Sequence, residues 1–239
     1  MLADDELKRV LVVTAHPDDV DFGAAGTVAT LTARGVHVAY CIVTDGQAGG
    51  FDREIRRVDI PSIRRAEQTA AARVAGVEDV TFLGRVDGEV VNDLDLARDI
   101  SRVIRKQQPD LAITFSPERN YRRIGVSHPD HRAVGAATLD AVYPFARNPF
   151  AFPDLLEREE LEPHIVREVW LQGAEDFDHH VEITDVIDVK FAAIEAHASQ
   201  ISDPAAMRER VREWTASSAR AVGLGEDAHA ELFKVVEIA

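Results

Sequence analysis

The chain has 239 residues, 46% hydrophobic and 29% charged, the balance of a globular protein with room for one sizeable α/β domain or two small ones. Its 27 Lys and Arg against 42 Asp and Glu leave a net charge of −15, which argues against nucleic acid and anionic membrane surfaces as partners. The single cysteine, Cys41, excludes an internal disulfide, and its place in the apolar run 38–43 reads as a buried, inert thiol. No apolar run approaches the roughly 18 residues of a membrane span. The acidic start MLADDELKR lacks the basic and apolar regions of a secretory signal, so a cytoplasmic protein is expected.

In chain order, residues 9–15 form an apolar, β-branched run that should be a central parallel strand covered on both faces. It runs into His16-Pro17-Asp18-Asp19, a costly set to bury unless something pairs with it, as a divalent metal would. A helix is expected over 22–34, with Gly35 as its stop, and a strand over 36–43. The flexible 44–50 that follows should lie beside the first strand end and line any site there. An alanine-rich helix over 62–75, a short strand over 80–83, a helix over 94–108 and a strand over 111–115 complete a β-α-β-α-β-α-β pattern. Short connections of this kind predict a Rossmann-like parallel sheet with right-handed crossovers. No G-x-G-x-x-G follows the first strand, which argues against the dinucleotide-binding version.

A polar loop over 116–127 then delivers His128-Pro129-Asp130-His131, with Pro129 suited to the first turn of a helix whose pattern is clear over 133–142. Residues 145–156, with Pro149 and Pro153 among aromatics, read as an ordered lid or rim. Strands over 166–171, 181–183 and 232–238 and helices over 185–199 and 205–222 finish the chain. Without a repeat or a clear boundary, a single domain over 1–239 is expected.

His16 and Asp19 are three apart, as are His128 and His131, so each pair projects to one side of a turn or first helical turn. Two His and one carboxylate are a common catalytic zinc set with a position left for water, whose pKa the metal lowers toward ~7. One of the two histidines of HPDH would ligate, and the other, if protonated, would stabilise an oxyanion. Asp18 must point away from Asp19 and is placed to accept a proton. Asp130 can hydrogen-bond an imidazole and keep it charged. A lone HPDD is also compatible with a simple turn and helix cap; two such motifs at strand ends of one sheet are a stronger signal. His37, His164, His179, His180 and His229 lack such a context.

At these motifs the sequence resembles the PIG-L/LmbE-like zinc deacetylases. The likeness runs through AHPDD (15–19), TDGQAGG (44–50), Arg64 with Glu67, FLGRVDG (82–88), SHPDHRA (127–133) and His197-Ala-Ser-Gln200. It implies an LmbE-like, mostly parallel sheet flanked by helices, with a C-terminal α+β portion packed on it. It implies Zn2+, with Fe2+ as an alternative, held by His16, Asp19 and His131. Asp18 would be the general base, His128 the oxyanion stabiliser and Asp130 the carboxylate that tunes it. Arg64 and Asp87 match sugar-contacting positions. Many members read AHPDDE, whereas this chain has Val20 and Asp21 there. The expected activity is removal of an N-acetyl group from a GlcNAc-type amino-sugar conjugate, a small-molecule substrate. A homo-oligomer is compatible with all of this. The alternatives are a zinc amidase acting on thiol S-conjugates or other non-sugar amides, and a non-enzymatic dinucleotide-binding or scaffold protein.

Overall fold

In the computed structural model, which describes residues 2, 3 and 6–238, a seven-stranded sheet has the order β3-β2-β1-β4-β5-β7-β6. Strands β1 (Arg9–Thr14), β2 (His37–Thr44), β3 (Asp79–Arg85), β4 (Leu111–Phe115) and β5 (Glu168–Gln172) are parallel. β7 (Ala230–Glu237) runs antiparallel to β5, and β6 (His179–Glu182) closes the far edge against it. The C-terminal strands thus extend the main sheet, and five of seven strands keep the parallel character expected.

Alternation along β1 explains its unbroken apolar run. Leu11 and Val13 point into one core with α3 (Leu94–Gln107) and α4 (Pro129–Asp140). Val10 and Val12 point into another with α1 (Asp19–Ala33) and Ala72 and Ala75 beyond Arg64 on the α2 side (Ile60–Val74). Both faces are dry, as a central parallel strand requires. The chain winds outward through β1, β2 and β3, then returns to place β4 on the other side of β1. The β1–β4 boundary is therefore the topological switch point, where crevices open beyond the strand ends.

Three segments differ from expectation. α1 begins at Asp19, because Asp18 turns the chain through a left-handed conformation, φ 95°. The helix expected over 185–199 is α6 (Ile187–Glu195) between two short 3-10 turns, and it stops where His197 leaves the helical path with ψ 57°. The segment 145–156 is not a rim of the switch-point crevice. Arg105, 2% exposed near the C-terminal end of α3, donates to the carbonyls of Phe145, Ala146, Asn148 and Ala151. Just beyond, His164 bonds Pro109 O before β4 begins, at the end of the sheet opposite the crevice. A short helix, α5 (Pro153–Glu157), completes this buttress. α7 (Pro204–Ala221) packs beside β7. Cys41 is buried and free, as expected, and burial pushes its thiol up to about 12. Among the described residues, no helix is long and apolar enough to cross a membrane.

Candidate metal centre and active site

Beyond β1, His16 and Asp19 sit on the turn into α1; beyond β4, His128, Asp130 and His131 sit on the first turn of α4. The two turns meet. Nδ1 of His16 lies 3.3 Å from Nε2 of His131. Asp19 joins both, with Oδ2 3.3 Å from His16 Nδ1 and Oδ1 3.1 Å from His131 Nε2. Tetrahedral bonds of about 2.0–2.2 Å give ligand–ligand edges of about 3.3–3.6 Å, so this triangle has the size of one face of a zinc site.

The outer sides of the rings decide what the inner sides offer. Nε2 of His16 contacts Asp87 Oδ1 at 3.1 Å and Asp130 Oδ2 at 3.2 Å. Nδ1 of His131 lies 3.2 Å from Val126 O, and its ring stacks on Phe115 at 3.9 Å. When both rings are neutral with their N–H groups on these acceptors, the opposite nitrogens present lone pairs toward one another and toward Asp19. Such outward bonds fix the tautomer of metal-binding histidines. The donor set therefore fits zinc or ferrous iron.

The electrostatics agree that a cation belongs there. Burial works against the His16 imidazolium, yet Asp19, Asp130 and Asp87 outweigh it and push its pKa up to about 12. Burial also opposes the Asp19 carboxylate, but His131 and His16 hold it well below the usual range. In their absence a buried carboxylate would be raised instead.

Asp18 points elsewhere, as its neighbour's role demands. Burial raises its carboxyl to about 6, while Arg64 pulls in the opposite direction from 2.8 Å. Arg64 is 3% exposed and also donates to Pro17 O and Gly46 O. Gly46 has φ 64°, where a side chain is strained, and a Cβ there would come within 2.1 Å of that guanidinium and push it from its place. The 44–50 loop lines the site as expected: Ala48 N–H donates to Asp87 at 3.1 Å, and Asp87 N–H donates to Gln47.

Asp130 serves a different imidazole from the one assigned to it. Its carboxylate takes N–H bonds from Gly88 at 2.7 Å and Val90 at 3.3 Å and faces His16. His128 meets only its backbone: Nδ1 accepts the Asp130 N–H at 3.2 Å. Burial, with His16 and His131 nearby, lowers the His128 pKa. Neutral, with Nδ1 as acceptor, it carries its proton on Nε2 and remains a donor.

His16, Asp18, Asp19, Arg64, Asp87, His128, Asp130 and His131 gather around this centre, and the support behind Asp18 is the part that the motifs do not announce. Gln68, one turn after Arg64 on α2, accepts the Asp18 N–H at 2.8 Å and donates to Asp21 at 2.9 Å. The helical i, i+4 spacing from Arg64 was the available signal. On the other flank, a cavity of about 300 Å³ reaches Asp19 and His131 between Phe22, Phe115, Trp214 and Leu232. Gln172, 4% exposed, lines it without a partner for its amide nitrogen or oxygen.

The PIG-L family profile, described as GlcNAc-PI de-N-acetylase, matches residues 11–142. A diacetylchitobiose deacetylase of Thermococcus kodakarensis is 32% identical over 83% of this chain and 72% of its own length. A probable N-acetyl-alpha-D-glucosaminyl L-malate deacetylase of Bacillus cereus is 36% identical over 81% of this chain and 84% of its own. The solved structure of N,N'-diacetylchitobiose deacetylase from Pyrococcus horikoshii superposes with a TM-score of 0.88 at 29% identity, covering 98% of this chain and 85% of that one. The chain belongs to the PIG-L, or LmbE-like, family and is a deacetylase, a hydrolase of carbon–nitrogen bonds.

Proposed function

We propose that this deacetylase is a zinc enzyme, with ferrous iron as the alternative ion, that removes the N-acetyl group from a GlcNAc-type amino-sugar conjugate. The proposal takes residues 1–239 as one catalytic domain. The observation that carries it is the triangle of His16 Nδ1, His131 Nε2 and the Asp19 carboxylate, with edges of 3.1–3.3 Å. The acetylated amino sugars named for the relatives support the substrate class. A buried, unpaired thiol suits a reducing, cytoplasmic compartment.

His16, Asp19 and His131 would hold the ion, which when bound polarises a carbonyl and lowers the pKa of water toward ~7. Asp18 takes a proton from the attacking water as the new C–O bond forms. It returns that proton to the amine nitrogen as the C–N bond breaks, leaving acetate and a free amine. A carboxyl raised to about 6 is matched to both halves of that task near neutrality. His128 donates from Nε2 to the oxyanion. Asp130 holds His16 by its outer edge. Asp87 and Arg64 are the proposed sugar contacts; Asp87 has the better access, because the Arg64 N–H groups that bond are turned inward beneath Asp18.

A panel of N-acetylated amino-sugar conjugates, assayed for primary-amine release by metal-replete protein, tests this. Release from no member would refute it. The 300 Å³ cavity beside Asp19 and His131 favours one second reading, an amidase for bulkier non-sugar or thiol S-conjugated amides. Including such amides in the panel separates the two.

A further inference from the structure

Two features of the sequence find no task in the chemistry above: Asp21, standing just past HPDD, and His197, at the head of the late HASQ segment. Both are fully buried. Nε2 of His197 lies 2.8 Å from Asp21 Oδ2. The same oxygen accepts the Gln68 Nε2–H at 2.9 Å, and Gln68 Oε1 accepts the backbone N–H of Asp18 at 2.8 Å. An unbroken chain of hydrogen bonds therefore leads from α6's end, through α1 and α2, to the residue proposed as the base.

What it holds needs holding. Asp18 has φ 95°, a region that a non-glycine residue occupies at a cost of roughly 1–3 kcal/mol and keeps only when its surroundings enforce it. The far end is fixed as well. The turn carrying His197 is tied to α2 by Ser199, whose N–H and Oγ–H each donate to Glu67 at 2.7 Å. The first turn of α1 is gripped by Lys190, fully buried, whose Nζ donates to Asp21 O at 3.0 Å, Phe22 O at 2.6 Å and Glu231 at 2.7 Å.

We infer that Gln68, Asp21 and His197 are positioning residues: they hold Asp18 in its left-handed conformation and so aim its carboxylate at the reacting water. The inference rests on Asp18 being the base. The relay touches neither the substrate nor the ligand atoms facing the metal position, so its loss should lower kcat and spare KM and zinc binding.

The test uses the full-length, zinc-loaded protein and an N-acetylated conjugate that it hydrolyses. Gln68→Ala and Asp21→Ala are expected to lower kcat about tenfold or more while KM stays within about twofold. Both should still bind about one zinc per chain. Asp21→Asn keeps an acceptor for Gln68 and should retain kcat within about threefold. In an Asp18→Ala background, Gln68→Ala should cause no further loss, because the two residues act as one unit. Alanine suits the interior of α2, so Gln68→Ala decides the matter even if Asp21→Ala proves insoluble. Unchanged kcat in Gln68→Ala, a loss carried by KM or zinc, or an equal further loss in the Asp18→Ala background would overturn the relay. Full activity of Asp18→Ala would instead remove the reading beneath it.

Discussion

His16 and His131 face each other across 3.3 Å with their outer nitrogens already spent, on Asp87 and Asp130 for one ring and on Val126 for the other. At that distance, flanked by Asp19, the two inner nitrogens need either a proton or a metal ion between them. Alanine at His16, His131 or Asp19 should therefore abolish stoichiometric zinc. Asp130→Asn, which weakens the outer hold on His16, should lower zinc affinity about 10–100-fold. Elemental analysis and chelator competition check both.

Removing the metal should leave a proton in its place. The His16 pKa is raised from its ordinary value to about 12, so at pH 7 the metal-free ring is charged, and binding must displace that proton. Zinc affinity is then expected to rise with pH, with about one proton or more released per ion at pH 7. Calorimetry in two buffers of different ionisation enthalpy measures the number.

Asp18 accepts a proton only as the carboxylate. With its pKa raised to about 6, kcat/KM should be steady above that pH and fall as pH drops through it. Asp18→Asn should cost about 10²–10⁴-fold in kcat and remove that acid limb, while zinc content stays unchanged. A pH–rate series on both proteins checks this.

The frame beneath α4 can be probed by volume. A Cβ at Gly135 would lie 2.2 Å from Phe115 O, a backbone atom that cannot step aside. Gly135→Ala should destabilise by about 1–3 kcal/mol, lowering Tm by roughly 2–4 °C per kcal/mol in a chain of this size. Activity should fall too, since α4 carries His128, Asp130 and His131. Thermal melts and rates of the same preparation check both.

The buried pair Lys190–Glu231 offers a further test of the support behind α1. Lys190→Met leaves Glu231 buried without its counter-charge and should cost about 3–5 kcal/mol. The double variant Lys190→Met with Glu231→Leu should recover part of that loss. Denaturant unfolding of the single and double variants measures it.

The meeting of HPDD and HPDH was legible in the sequence because both are short motifs at strand ends, while the choice of His131 over His128 as a ligand came from the family resemblance and not from spacing. The parallel sheet was legible because strands buried on both faces read as plain apolar runs. Partners brought together by tertiary packing left no such trace. Gln68 and Asp21 are 47 positions apart and Asp21 and His197 are 176 apart, so their contact depends on how α1, α2 and α6 pack. The same limit moved Asp130 from His128 to His16, since neighbours in sequence on one turn need not be neighbours in bonding. It also hid that 145–156, read as a lid or rim, packs at the other end of the sheet: nothing local reveals that Arg105 gathers its carbonyls.

The most direct measurement is a zinc titration of metal-free protein, following primary-amine release from an N-acetylglucosaminyl conjugate. The rate should rise in proportion to added zinc and break at about one ion per chain. Amine release that is indifferent to the metal, or a zinc-saturated protein that releases none from any acetylated amino sugar, would contradict the account.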